Sequence, residues 1–142
     1  MRRAVLLLSL LILTACSSGP QITIDSPKEP RVAVQMLSEH YDAMYIDRTD
    51  AVRTMRTDWM FRDSEHTEGW ILPDRRREKE QLTIEISPHE LNGSWIRVWV
   101  DFEIEQARGS LGRRWQPIDA PVERLVEISQ EIQRALEANS GN

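Results

Sequence analysis

The sequence predicts an α+β domain: a small antiparallel sheet with a long hairpin, packed against an N-terminal and a C-terminal helix. Three observations predict it. Apolar residues recur every three or four positions from Val32 to Met44 and again from Val122 to Leu136, the period of a half-buried helix. Between them, apolar and polar residues alternate strictly over 82–86 and 96–104, the period of a strand with one covered face. Strands in succession, flanked by helices, bury themselves as a sheet with helices on one side.

The elements follow in order. Val32, Ala33, Met36, Leu37, His40, Tyr41 and Met44 form the first helical stripe. Ser26-Pro27-Lys28-Glu29 has the form of a capping box, while Pro30 suits a start near residue 30 equally well. The helix is expected to end near Tyr41 or Asp42. Residues 44–47 and 52–61 read as strands around the polar turn Arg48-Thr49-Asp50-Ala51. A period of two puts Met55, Thr57, Trp59 and Phe61 on one face, with Trp59 in the core. Residues 62–80 are very polar, contain Gly69, Pro73 and Arg75-Arg76-Arg77, and are expected to be a long loop with Trp70-Ile71-Leu72 as an apolar island.

Leu82, Ile84 and Ile86, then Ile96, Val98, Val100, Phe102 and Ile104, are the core face of the hairpin, with Asn92-Gly93 as its turn signal. A plain two-residue turn there would set Ile86 opposite Trp99 and put the two apolar faces on opposite sides. A shift that sets Ile84 opposite Val100 and Leu82 opposite Phe102 brings them together. A bulge or an odd-length loop is therefore expected, at Pro88, which cannot donate to a ladder. Gly109 and Gly112 are read as ending the sheet, with Trp115 plugging its end. A final helix is expected over about 120–138, with Asp119 as N-cap and Pro121 in the first turn. Val122, Leu125, Ile128, Ile132 and Leu136 are its buried stripe, and Glu131 and Arg134 are spaced to pair on the outside.

The N-terminus carries an address. Arg2 and Arg3 precede an apolar run, Ala4 to Leu13, too short for the roughly 20 residues a membrane span needs, so it reads as a signal peptide. The run ends in Leu13-Thr14-Ala15-Cys16, which resembles the lipobox of bacterial lipoproteins. The resemblance implies cleavage before Cys16, three acyl chains on that cysteine, and a membrane-anchored mature protein. In proteobacterial lipoproteins an Asp after the cysteine favours retention at the inner membrane; Ser17 stands there, which implies the periplasmic face of the outer membrane. The expected organisation is a signal peptide over 1–15, a lipidated tether over 16–30, one domain over 31–138 and a disordered tail over 139–142.

The chain has 142 residues, 18 Lys and Arg against 23 Asp and Glu, and one cysteine. Removing the leader with its two arginines leaves 16 bases against 23 acids, a net charge near −7, which argues against nucleic acid as a partner. A lone cysteine excludes an internal disulfide and a cysteine-rich zinc site. No nucleophile elbow, P-loop, dinucleotide or zincin motif is present. His40, His66 and His89 have no second histidine at ligand spacing, and His66-Thr67-Glu68 alone would leave a metal site incomplete. The carboxylates read as solvated faces. No catalytic residue, metal or cofactor is expected, and the protein is read as a non-enzyme.

The strand face opposite the hairpin core carries Trp95, Arg97 and Trp99. Trp and Arg are the residues of interface hot spots, and Arg97 is spaced to stack on either ring. The alternative is that a loop carrying Trp70 folds over them. The arginines at 75–77 are close enough to an anchor to touch anionic headgroups, but Glu78 and Glu80 cancel much of their field, which favours a solvated loop.

The stretch from Val32 through Thr57-Asp58-Trp59, a helix leading into strands, resembles the small domains of lipoprotein C of the outer-membrane β-barrel assembly machine. That resemblance implies an accessory scaffold of envelope assembly with no catalytic residues. Two functions are therefore expected. The first is a protein-binding accessory or scaffold lipoprotein with an envelope protein as partner and Trp95, Arg97, Trp99 and Trp70 as contacts. The second is a carrier of a small apolar ligand or lipid between sheet and C-terminal helix, lined by Val98, Val100, Phe102, Ile128 and Ile132.

Overall fold

The computed structural model describes residues 19–49, 51–66, 74–107 and 112–138. The elements are β1 (Ile22–Ser26), α1 (Pro30–Tyr41), β2 (Met44–Thr49), β3 (Val52–Arg56), β4 (Met60–His66), β5 (Asp74–Pro88), β6 (Ser94–Ala107), β7 (Arg113–Ile118) and α2 (Val122–Glu137). The fold is α+β. Among the described residues seven strands form one antiparallel sheet, ordered β1-β6-β5-β3-β2, with β4 also pairing β5 and β7 also pairing β6.

The β5–β6 hairpin is the frame, with strands of 15 and 14 residues. Its ladder runs unbroken from Glu78 opposite Ile104 to Pro88 opposite Ser94. The expected odd-length loop is a five-residue connection, His89 to Gly93, closed by the His89 amide donating to the Gly93 carbonyl at 2.8 Å. The longer loop moves the partners two residues beyond those expected, so Ile84 faces Val98 and Leu82 faces Val100, and Pro88 needs no bulge. Asn92 takes the left-handed conformation, φ 67°. Gly93 is needed for a different reason: a Cβ there would stand 2.3 Å from the Ser26 carbonyl oxygen.

One face of this hairpin is the core. Leu82, Ile84, Ile86, Ile96 and Val98 are sealed under Val34 and Leu37 of α1 and Ile128 and Ile132 of α2. Helix α1 begins at Pro30 with Glu29 at the N-cap, while the Ser26 hydroxyl accepts from the Lys28 amide instead of capping the helix. It ends where Asp42 turns left-handed, φ 49°. The N-cap of α2 is Pro121 rather than Asp119, and Val122 is exposed rather than part of the buried stripe. Glu131 pairs with Arg124, and Arg134 bonds its own helix at the Gln130 carbonyl.

Four expectations change with the tertiary structure. The tether over 16–30 is shorter, because Ile22–Ser26 is strand β1, its Ile22 and Ile24 buried in the core beside β6. The loop over 62–80 is largely strand, since β4 and β5 pair from Met60 opposite Glu80 to His66 opposite Asp74; Trp70-Ile71-Leu72 lies outside the described residues. The sheet does not end at Gly112, because β7 pairs with β6. Finally, the strand over 52–61 is two strands.

The break falls at Thr57. Its amide donates to the Leu82 carbonyl, its hydroxyl accepts from the Leu82 amide, both at 3.0 Å, and its carbonyl accepts from Gln81 Nε2 at 2.8 Å. A side-chain oxygen thus replaces a backbone acceptor, and the alternation slips. Met55 and Thr57 stay on the core face and Met60 packs against the core, while Trp59 and Phe61 turn to the outer face.

Candidate functional site

Strict alternation along β6 sends Trp95, Arg97 and Trp99 to the face of the sheet opposite the helices. All three are half-buried. The Trp95 ring meets His89 edge-on, centroids 4.9 Å apart. Arg97 does not stack between the two tryptophans as its spacing suggested. Its Nη1 donates across the ladder to Glu85 Oε1 at 2.9 Å. Trp70 lies outside the described residues.

The same face carries a cluster that periodicity did not disclose. The Lys79 ammonium stands 4.3 Å from the Trp59 ring centre and 4.8 Å from that of Trp115, and pairs with Glu103 at 2.7 Å. Arg77 lies 5.8 Å from the Phe61 ring centre and 5.9 Å from that of Trp115. Phe61 and Trp115 come from strands on opposite edges, yet their rings meet edge-on at 5.8 Å, leaning together over β5 and β6. Ring quadrupoles attract cations, so Lys79 and Arg77 hold these rings in place on the surface. Trp59 is therefore a face residue rather than core, and Trp115 belongs to this cluster instead of plugging the sheet's end. Phe61 remains 57% exposed. The usable signal was the alternation of Arg77 and Lys79 with Glu78 and Glu80, a strand pattern written entirely in charges.

A second polar group sits on the core side. Glu80 is 1% exposed and accepts from Arg124 Nε and Nη2. Arg124 Nη1 also donates to Glu127 at 2.9 Å and Glu131 at 3.1 Å, and Arg62 stands 3.6 Å from both Glu78 and Glu80. The hydrogen bond to Glu80 is the main reason the Arg124 guanidinium is held above its already high range. Burial, then the nearby Glu131, pushes the Tyr41 phenol well above the usual tyrosine value. Its hydroxyl is the one buried side-chain polar atom without a hydrogen-bond partner among the described residues. The expectation that the carboxylates are all solvated is thus corrected: Glu78 and Glu80 are buried. With Arg124 permanently charged and shared by three carboxylates, the group clasps helix to sheet.

Among the described residues no three His, Cys, Asp or Glu are placed to hold a metal ion. Cys16 lies outside the described residues, as do Thr67 and Glu68. The side chains expected to line a carrier pocket, Val98, Val100, Phe102, Ile128 and Ile132, are all buried in the one core cluster. No protein-family model matches the chain, and comparison with curated proteins finds no match to it.

Proposed function

We propose that this protein is a non-enzymatic lipoprotein, anchored through acyl chains on Cys16 to the periplasmic face of the outer membrane, and that the outer face of its sheet binds another envelope protein. One observation carries the binding reading: Trp59, Trp95, Trp99 and Trp115 share a sheet face that neither helix covers, set among Lys79, Arg97, Glu85 and Glu103. Half-buried aromatic rings fixed by neighbouring charges lose little side-chain entropy on docking, which suits them to act as anchors. The residues expected to line a carrier pocket are members of one buried core cluster, which favours the binding reading over the carrier.

The test is crosslinking in intact cells from a photoreactive residue at position 99, with the adduct identified by mass spectrometry. A discrete protein adduct, abolished by Trp95→Ala together with Trp59→Ala, is the expected result. The double variant Trp95→Ala/Trp99→Ala, read by co-purification of the partner instead of by the probe at position 99, is expected to lose partner binding while melting as a folded domain. No adduct from an anchored, folded chain would overturn the binding reading.

A further inference from the structure

We propose that a second surface, the exposed apolar strip of Ile118, Val122 and Val126, rests on the lipid interface beside the anchor, so that the domain is held in one orientation against the bilayer. This rests on the reading of Cys16 as the acylated residue. The strip is exposed where an ordinary helix would be polar: Val122 is 70% exposed, Val126 50% and Ile118 37%. Val122 and Val126 are four apart on α2 and share a strip with Gln133, on the side away from Arg124 and towards β1, where Gln133 lines a cleft with Ile24 and Asp25.

Chain length and direction choose the occupant. Strand β1 starts at Ile22, six residues after Cys16, so at most about 20 Å of extended chain separates the acylated residue from the sheet. The chain also leaves the sheet on the side of the strip. The Gln21 amide donates to the Val98 carbonyl, and its side-chain oxygen accepts from the Val100 amide, so the chain joins the sheet in the gap on the β6 edge between β1 and β7. The next residue paired on that edge is Phe102, opposite Ile118 at the end of β7, and α2 starts four residues later. The described chain thus begins beside Ile118, and chain length keeps the anchor within reach of the Ile118–Val122–Val126 strip. Confinement this close gives even a small apolar contact a high effective concentration of interface. Asp119 and Glu123 beside the strip oppose an anionic surface, so the contact is apolar and suits zwitterionic headgroups.

The experiment uses the full acylated protein, purified from membranes and placed in zwitterionic phosphatidylcholine vesicles. With Cys16 acylated, a cysteine placed by Val122→Cys, Val126→Cys or Leu91→Cys is the only free thiol for an environment-sensitive fluorophore. Leu91 is 83% exposed in the β5–β6 loop, at the opposite end of β6, and serves as the reference. The expected result is blue-shifted emission at 122 and 126, quenched severalfold more than at 91 by lipids carrying a quencher in the acyl region. Emission at 122 and 126 as water-like as at 91, from protein whose mass shows the acyl chains, would overturn the proposal and leave the anchor intact. A blue shift without lipid quenching that grows with protein density would assign the strip to a second copy of the chain. The same shift in detergent-free soluble protein lacking Cys16 would assign it to the chain's own tether. Both outcomes overturn the proposal. A mass without acyl chains would overturn the anchor reading and the proposal together.

Discussion

Thr57 shows how one side chain can set the course of a strand. Its hydroxyl is the acceptor for the buried Leu82 amide, so Thr57→Val is expected to cost about 1–3 kcal/mol by leaving that donor unpaired, while Thr57→Ser keeps most of the stability. Denaturant melts of the two variants check this. Tyr41 presents the reverse case, a buried hydroxyl that lies beside Glu131 without a well-formed hydrogen bond among the described residues. Tyr41→Phe is expected to be neutral or stabilising by up to about 1 kcal/mol near pH 7. Its pH dependence has a definite sign. The folded state binds the phenolic proton more tightly than the unfolded chain does, so wild-type stability carries no penalty from this phenol below about pH 10 and falls as the pH rises from there towards the raised folded-state value. Wild type should therefore lose stability in strong alkali more steeply than the Phe variant, as paired melts above pH 10 would reveal.

At the scale of elements, α2 is fastened to the sheet by an ionic clasp as well as by Ile128 and Ile132. Among the described residues, Arg124→Ala would leave the 1%-exposed Glu80 with Arg62 as its one cation, at an expected loss of about 3–5 kcal/mol. Arg124→Met combined with Glu80→Gln is expected to recover most of it, because the cost lies in the orphaned charge. A double-mutant cycle on melting curves measures both. The clasp also explains why β5 tolerates charges on both faces. Inward-pointing Glu78 and Glu80 meet arginines of β4 and α2, while outward-pointing Arg77 and Lys79 lie under aromatic rings.

At the scale of the whole molecule, the folded domain begins earlier than the alternation of its main hairpin suggests. Strand β1 covers the edge of β6 and buries Ile22 and Ile24. Truncation to residue 27 is expected to remove about 3–6 kcal/mol of burial and to bare that edge to aggregation, whereas truncation to residue 19 leaves the domain folded. Comparing the solubility and melting of the two truncated chains decides it.

The sequence by itself determined both helices, the facing of the long hairpin, the need for a bulge or an odd-length loop in it, and the outward placement of Trp95, Arg97 and Trp99. Each follows from a period of two or 3.6, a local property that burial imprints on neighbouring residues. Only the tertiary structure decided that β1, β4 and β7 are strands, that Trp59 and Phe61 face outward, and that Trp59, Phe61 and Trp115 converge on Lys79 and Arg77. The physical reason is common to these cases. Arg75 to Glu80 read as a solvated loop because charges in a strand are paired by residues remote in sequence: Glu80 finds Arg124, 44 residues away. Likewise, the slip at Thr57 depends on Leu82, 25 residues on, so the alternation before it could not be carried forward to Trp59.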